Sequence, residues 1–272
     1  MKINKYFFLF LNLLFFFYSI SVFAKNEPLQ KKSPLIVEAD ESLEWFEKEK
    51  YYLAKGNVIL LKDGLKLLAN KVTANYKEEK GENVLKVIVA EGDVILTKGT
   101  NKATGTFITY YVDKKLALMS GPFQTFLSPS GYIESNKKLM FNDSTNKAEA
   151  IGKVKIILTN KTIIYADNIK ANFTGKAKSL KDAIAKGNVI IENNQEGKKS
   201  KADIGIYNSS KDIIKLKGNV IILNQNSKIT GSNGITNIKT GISKITGSPN
   251  KKERVKGIFF PTNNKKKGGY AE

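Results

Sequence analysis

One short segment returns again and again along this chain. A-K-G-N-V-I-L at 54–60 comes back as A-E-G-D-V-I-L at 90–96, A-K-G-N-V-I-I at 185–191 and L-K-G-N-V-I-I at 216–222. Gly56, Gly92, Gly152, Gly187 and Gly218 mark clear copies, M-S-G-P-F-Q-T-F-L places a further one at Gly121 with Pro122 in place of Asn, and I-T-G-S-P-N around Gly247 is a last, weak one. The copies fall roughly thirty residues apart, and periods of 20–50 residues signal stacked units that bury their apolar faces only against neighbours. The intervening segments, such as L-L-A-N-K-V-T-A-N-Y (67–76), K-A-T-G-T-F-I-T-Y-Y (102–111) and I-I-Y-A-D-N-I-K-A-N-F (163–173), are rich in β-branched and aromatic residues and bounded by Gly, Asn, Asp and Lys. That is strand composition. The chain is expected to be all-β, with roughly 15 or more strands of about 5–8 residues each opened by a glycine turn.

Alternation assigns the faces, because successive side chains of a strand point to opposite sides. One row holds Val58, Leu60, Val94, Leu96, Phe123, Val154, Ile156, Val189, Ile191, Val220 and Ile222. The other holds Asn57, Asp93, Pro122, Lys153, Asn188 and Asn219, followed by Ile59, Ile95, Gln124, Lys155, Ile190 and Ile221. Two lysines on one face of the copy at 152–157 decide the matter, since an unpaired charge is very costly in an apolar interior. The Val/Leu row is expected to face inward and the Ile row outward.

Residues 1–24 read as a secretory signal: Lys2 and Lys5, an apolar run from Tyr6 to Tyr18, then Ser21-Val22-Phe23-Ala24. Small residues before a cut favour cleavage after Ala24. An uncleaved anchor is the rival, although spanning wants about 20 apolar residues. A short linker (25–33), a repeated β domain (34–261) and a disordered Lys-rich tail (262–272) complete the expected layout. The chain has no Cys and no His, which removes disulfides, thiolate nucleophiles and the commonest base and metal ligand. No cofactor or metal is expected. A formal charge of +20 favours anionic partners, and export argues against nucleic acid. The high Lys, Asn and Ile content is equally what an AT-rich genome writes on a solvated face.

P-L-I-V-E-A-D-E-S-L-E-W (34–45), A-K-G-N-V-I-L-L-K-D-G-L-K-L-L-A-N-K-V (54–72) and K-E-R-V-K-G-I-F-F-P (252–261) together resemble the LptA or OstA-like family, the periplasmic bridge proteins of lipopolysaccharide export. The chain is longer than a usual member, carries extra repeats, and has an atypical Lys153-Val154-Lys155 copy. The resemblance implies a jellyroll of V-shaped antiparallel strands, open at one seam, with a groove that binds lipid A acyl chains. It implies three partners besides lipopolysaccharide: an inner-membrane-anchored jellyroll protein, an outer-membrane barrel, and further copies joined head to tail. Leu35, Val37 and Leu43 are expected at the N-terminal mouth and Phe107 as an aromatic insert, with the inward row lining the groove. The first strand (35–39) and last strand (255–260) are expected to accept partner strands. Glu38 and Asp40 at one end, against Lys252, Arg254 and Lys256 at the other, would bias a head-to-tail join. The alternatives are the membrane-anchored partner of the same pathway, a structural or adhesive surface protein in which the same rows form a closed core, and a polysaccharide-cleaving β-helix. The last lacks the cluster of acids and arginines such chemistry uses, since Arg254 is the sole arginine.

Overall fold

A computed structural model of the chain describes residues 34–260, apart from 175–178, 194, 196, 238, 241 and 249–252. The expected signal, linker and tail lie outside the described residues, as do Lys252 and Pro261. Everything described is strand or turn: eighteen strands in one antiparallel system. Ten are long and continuous, namely β3 (Tyr51–Lys62), β4 (Leu65–Glu79), β5 (Glu82–Lys98), β6 (Asn101–Tyr111), β11 (Lys147–Leu158), β12 (Ile163–Thr174), β13 (Ser179–Asn193), β14 (Lys198–Asn208), β15 (Ile213–Asn224) and β16 (Ser227–Asn237). Eight short ones join in pairs into four more of similar length: β1 (Ile36–Glu38) with β2 (Ser42–Phe46), β7 (Leu116–Ser120) with β8 (Gln124–Ser128), β9 (Gly131–Ser135) with β10 (Lys138–Asn142), and β17 (Ser243–Thr246) with β18 (Lys256–Phe259). Each of the fourteen pairs with the one before it, so the chain zigzags up a stack.

The repeated glycine does not open a strand. It bends one. Gly56 and Asn57 both have positive φ (80° and 43°), and so do Gly92/Asp93, Gly152/Lys153, Gly187/Asn188 and Gly218/Asn219. Two successive left-handed residues cannot continue a pleated ladder, and the register slips there in every copy. Glycine enters this region without penalty and Asn or Asp more readily than other residues. The strands are therefore 11–17 residues long, and longer than the sequence suggested, because each copy contributes a corner within a strand. Each corner glycine sits against a polar residue of a neighbouring segment: Glu41, Asn70, Asn136, Asp167 and Asp203 in turn. The corner Asn side chains reinforce this: Asn57 donates to Asp40 (2.7 Å), Asn188 to Asp167 (2.9 Å) and Asn219 to Asp203 (2.9 Å).

The corner folds each strand into two arms whose inner faces meet. At the apex lie Val58, Val94, Val154, Val189 and Val220, each no more than 1% exposed. Each stands opposite a small residue: Ala69, Gly105, Ala166, Ala202 and Gly231. Large against small lets the arms close without a void. The inward assignment of the Val/Leu row holds for these copies, and Lys153 and Lys155 do point out, the latter 3.7 Å from Glu134.

The copy at Gly121 differs. Proline's ring holds φ near −65°, so Gly121-Pro122 does not form the left-handed pair, and the strand breaks between Ser120 and Gln124. Parity moves by one residue. Gln124 (fully buried) and Phe126 face inward, whereas Phe123 is 53% exposed on the outer side, correcting both the outward assignment of Gln124 and the inward assignment of Phe123. Gln124 takes the apex position opposite Ser135.

The chain also repeats at a larger scale. Val37, Glu38, Leu43, Ala54, Gly56 and Val58 correspond at one constant offset to Ile133, Glu134, Leu139, Ala150, Gly152 and Val154. The structure repeats with them. In both places the strand is split by a short loop whose amide, Asp40 or Asn136, donates to the corner glycine carbonyl, Gly56 (2.8 Å) or Gly152 (2.9 Å). A first unit thus runs from β1 to β8 and a second from β9 to β18. The leading strands of the second, β9 and β10, pair directly with β8 and β7 of the first.

Candidate functional site: an apolar cavity between the arms

The ladder carries two inner rows along the stack. On the first arm Val37, Leu60, Leu67, Leu96, Ala103, Phe126, Ile133, Ile156, Ile164 and Ile191 stand in successive cross-strand register. On the second arm the equivalent row is Ala54, Val72, Ala90, Ile108, Met119, Leu139, Ala150, Ile169 and Ala185. Near the start of the stack these rows pack on one another as a continuous core.

Farther along they part around a cavity of about 480 Å3. Its cause is local. One step out on the second arm, the row reads Phe141, Ala148, Ala171, Ala183, Tyr207 in register. Three successive alanines face Ile133, Ile156, Ile164 and Ile191 across the gap and leave room that larger residues would fill. Phe141, Phe173 and Leu180 form the cavity's outer wall, the two rings edge to face at 6.4 Å. The cavity spans the junction of the two units, drawing on β5 to β15.

Polar chemistry is sparse here. Glu149 is the charged residue of the lining. Burial works to raise its pKa, but hydrogen bonds from Asn168 and Lys170 prevail and hold the carboxyl below its usual range. Tyr207, also lining, has its phenol pushed up by burial and then by Asp212, so it stays a neutral donor. Such a surface suits hydrocarbon and offers no hydrogen-bond code for a rigid polar ligand.

Of the residues picked from sequence, Leu96, Ile156, Val189 and Ile191 line this cavity. Val58, Leu60, Val94 and Val154 lie in the closed core. Val220 and Ile222 belong to a separate C-terminal cluster with Ala202 and Leu216. Val37 and Leu43 share the inner face by register, but they form its uncovered end: Val37 packs on the core and Leu43 is 61% exposed, while Leu35, just before β1, is 39% exposed. Phe107 is corrected: it points outward and is exposed, because the corner between Gly105 and Ile108 resets the alternation and makes Ile108 the buried residue. The alanine wall went unread. Its signal is A-x-A at 148–150 and 183–185 and A-x-F at 171–173, small residues at strand period where the other inner positions are large.

The ends of the stack are open. Among the described residues β1 and β2 pair only with β3, and β17 and β18 only with β16. Trp45 and Tyr52 stack at the first end, 6.2 Å apart, with Trp45 Nε1 donating to the Tyr76 hydroxyl at 2.7 Å. Ile258, Phe259 and Phe260 are exposed at the other.

The profile of the family described as LptA/(LptD N-terminal domain) LPS transport protein matches residues 37–126 and 132–242, one segment within each of the two units. No curated protein matches. Eighteen chains of solved structures match. One is LptH, described as the LptA homologous periplasmic component of the conserved lipopolysaccharide transport device from Pseudomonas aeruginosa, at 12% identity over 86% of this chain and 100% of that one, with a TM-score of 0.22.

Proposed function

This chain belongs to the LptA and LptD N-terminal domain family of lipopolysaccharide transport proteins, and from that premise we propose that it shields lipid A acyl chains between its arms while lipopolysaccharide crosses the periplasm. The cavity walled by Ala148, Ala171 and Ala183 carries this reading. Each methylene it covers is worth about 0.8 kcal/mol relative to water, and a smooth aliphatic wall gives cover without fixing one pose. The open ends serve the second half of the task. An unpaired strand edge is an aggregation risk unless it has a partner, and strand addition is a common way to join sheets. The first strand (β1/β2) and last strand (β17/β18) accept an inner-membrane-anchored jellyroll, an outer-membrane barrel component or a second copy of this chain. The segment 1–24 supplies export.

The charge bias of the join needs one revision. Asp40 is engaged by Asn57 at a corner, so Glu38, exposed on β1, is the residue free to steer a partner. Glu38→Lys is expected to weaken association while leaving the fold intact; unaltered association would remove the charge argument.

The direct test is photo-crosslinking in cells. A photoreactive residue at Ala171, Ile164 or Phe141 is expected to yield lipopolysaccharide adducts. Val94 in the closed apex and Asn188 on the outer corner are expected to yield none. Absence of adducts at the cavity positions in a folded protein would sink the reading and leave a closed structural core.

A further inference from the structure

The two lips of the seam between the arms are chemically unlike. On the second arm the inner face stays apolar to its tip: Tyr76, Phe141, Phe173 and Leu180 are all buried there. In its N-terminal turns Lys50 pairs with Glu78, Lys86 pairs with both Glu79 and Asp113, and Lys114 lies over the Tyr111 ring.

On the first arm the inner row ends in a cation at each of the first two long hairpins. Lys62 pairs with Leu65, Leu65 with Lys98, and Lys98 with Asn101. This row lies one alternation beyond Leu60, Leu67, Leu96 and Ala103, so it shares their face. Lys66 and Lys102 stand on the outer side of the same two hairpins. None of these four lysines has a carboxylate partner among the described residues. Lys62 and Lys98 are two strands apart, which is about 10 Å at the backbone, within reach of a shared anion for two long flexible side chains. Leu96 lines the cavity, and Lys98 is the next residue on its face, about 7 Å farther along the strand. Hydrocarbon site and cationic lip are therefore adjacent.

We propose that Lys62 and Lys98, flanked by Lys66 and Lys102, hold a phosphate monoester on the headgroup of the amphiphile whose acyl chains occupy the cavity. This rests on the lipid-carrying reading above and adds an orientation to it: the anionic head lies on the first-arm lip and the tails extend towards the second arm. An ammonium suits this role, being a point charge with three rotatable donors that tolerates a sliding phosphate. Attraction between exposed charges is screened by salt, so the preference for phosphate should fade as ionic strength rises.

The test compares the full chain with Lys62→Gln/Lys98→Gln, titrated with diphosphorylated lipid A, with the same lipid stripped of phosphate, and with inorganic phosphate alone. Wild type is expected to favour the phosphorylated lipid at least tenfold at low salt. The double variant is expected to lose that preference and to bind the stripped lipid as wild type does, with an unchanged melting temperature. Retained preference in the variant, or equal losses with both lipids, would overturn the headgroup site. So would millimolar inorganic phosphate that binds alone and competes, since that marks a free-anion site. If wild type binds neither lipid, the carrier reading fails first and the headgroup site with it.

Discussion

Ala171→Leu puts the cavity to a quantitative test. Ala171 sits at the middle of the alanine wall, between Ala148 and Ala183 in register and beside Phe173. Leucine adds three carbons there. If each displaces one acyl methylene, the cost to binding at about 0.8 kcal/mol apiece is about 2.4 kcal/mol, a loss of roughly sixtyfold in affinity. The fold should scarcely notice, because the added carbons enter existing space. Ala90→Leu is the matched control. Ala90 belongs to the same inner system but is 1% exposed in the closed core, where an inserted side chain costs about 1–3 kcal/mol of stability. The assay is displacement of a fluorescent acyl probe by lipid A, alongside urea unfolding of both variants. Unchanged lipid affinity in a folded Ala171→Leu protein would show that the alanine wall is not where chains lie. Equal destabilisation by the two substitutions would show that the space between the arms is not open.

Three further outcomes follow from the geometry. Gly187→Ala should destabilise by about 1–2 kcal/mol, the cost of a left-handed conformation for a residue with Cβ, and its methyl would also overlap the Asp167 carboxylate; adding Asp167→Ala should recover part of the loss, and strictly additive losses in unfolding titrations would contradict the corner contact. The Tyr132 phenol is pushed up from 10.0 to about 12 by burial, then by its hydrogen bond to Glu134 and that carboxylate's charge. A raised folded-state value means stability present below pH 10 that falls as pH rises from about 10 to about 12, and Tyr132→Phe should remove that part of the alkaline decline. Trp45 is the sole tryptophan and 58% exposed at the first open end; acrylamide should quench its emission in the isolated chain and quench it less once a partner covers β1 and β2, whereas unchanged quenching on association would place the join elsewhere.

What the sequence made legible was the property that depends on alternation alone. The Val/Leu row was assigned inward because Lys153 and Lys155 exclude the other choice, and the apex valines lie there. Alternation fails wherever the backbone leaves the pleat. Gly-Asn was taken for a turn before a strand, since two adjacent left-handed residues have the same composition in a corner as in a loop. Phe107 was expected inside as an aromatic insert from the resemblance, and the bend between Gly105 and Ile108 turns it outward. Phe123 followed a repeat whose proline forbids the corner that defines the others. The alanine wall of the cavity was missed for a different reason: it is made by what Ala148, Ala171 and Ala183 lack, and small residues at strand period carry no hydrophobic signal. Clear large apolar positions pointed to the apex, which packs shut along most of the stack, while most of the open space lies farther along the arms.

The pairing of β9 and β10 onto β8 and β7 has a consequence for reach and reliability. In the first unit the corresponding leading strands, β1 and β2, present a free edge; in the second that edge is already taken, by the same polypeptide. A contact that would otherwise depend on protein concentration is thereby made intramolecular, with an effective concentration set by the two-residue link Pro129-Ser130, where short tethers reach the millimolar range. Fourteen bent strands at their usual spacing make a stack about 60 Å long from a single chain. A file of such chains would cover a given distance with half as many separable junctions as one built from single units, and so with half as many places to come apart.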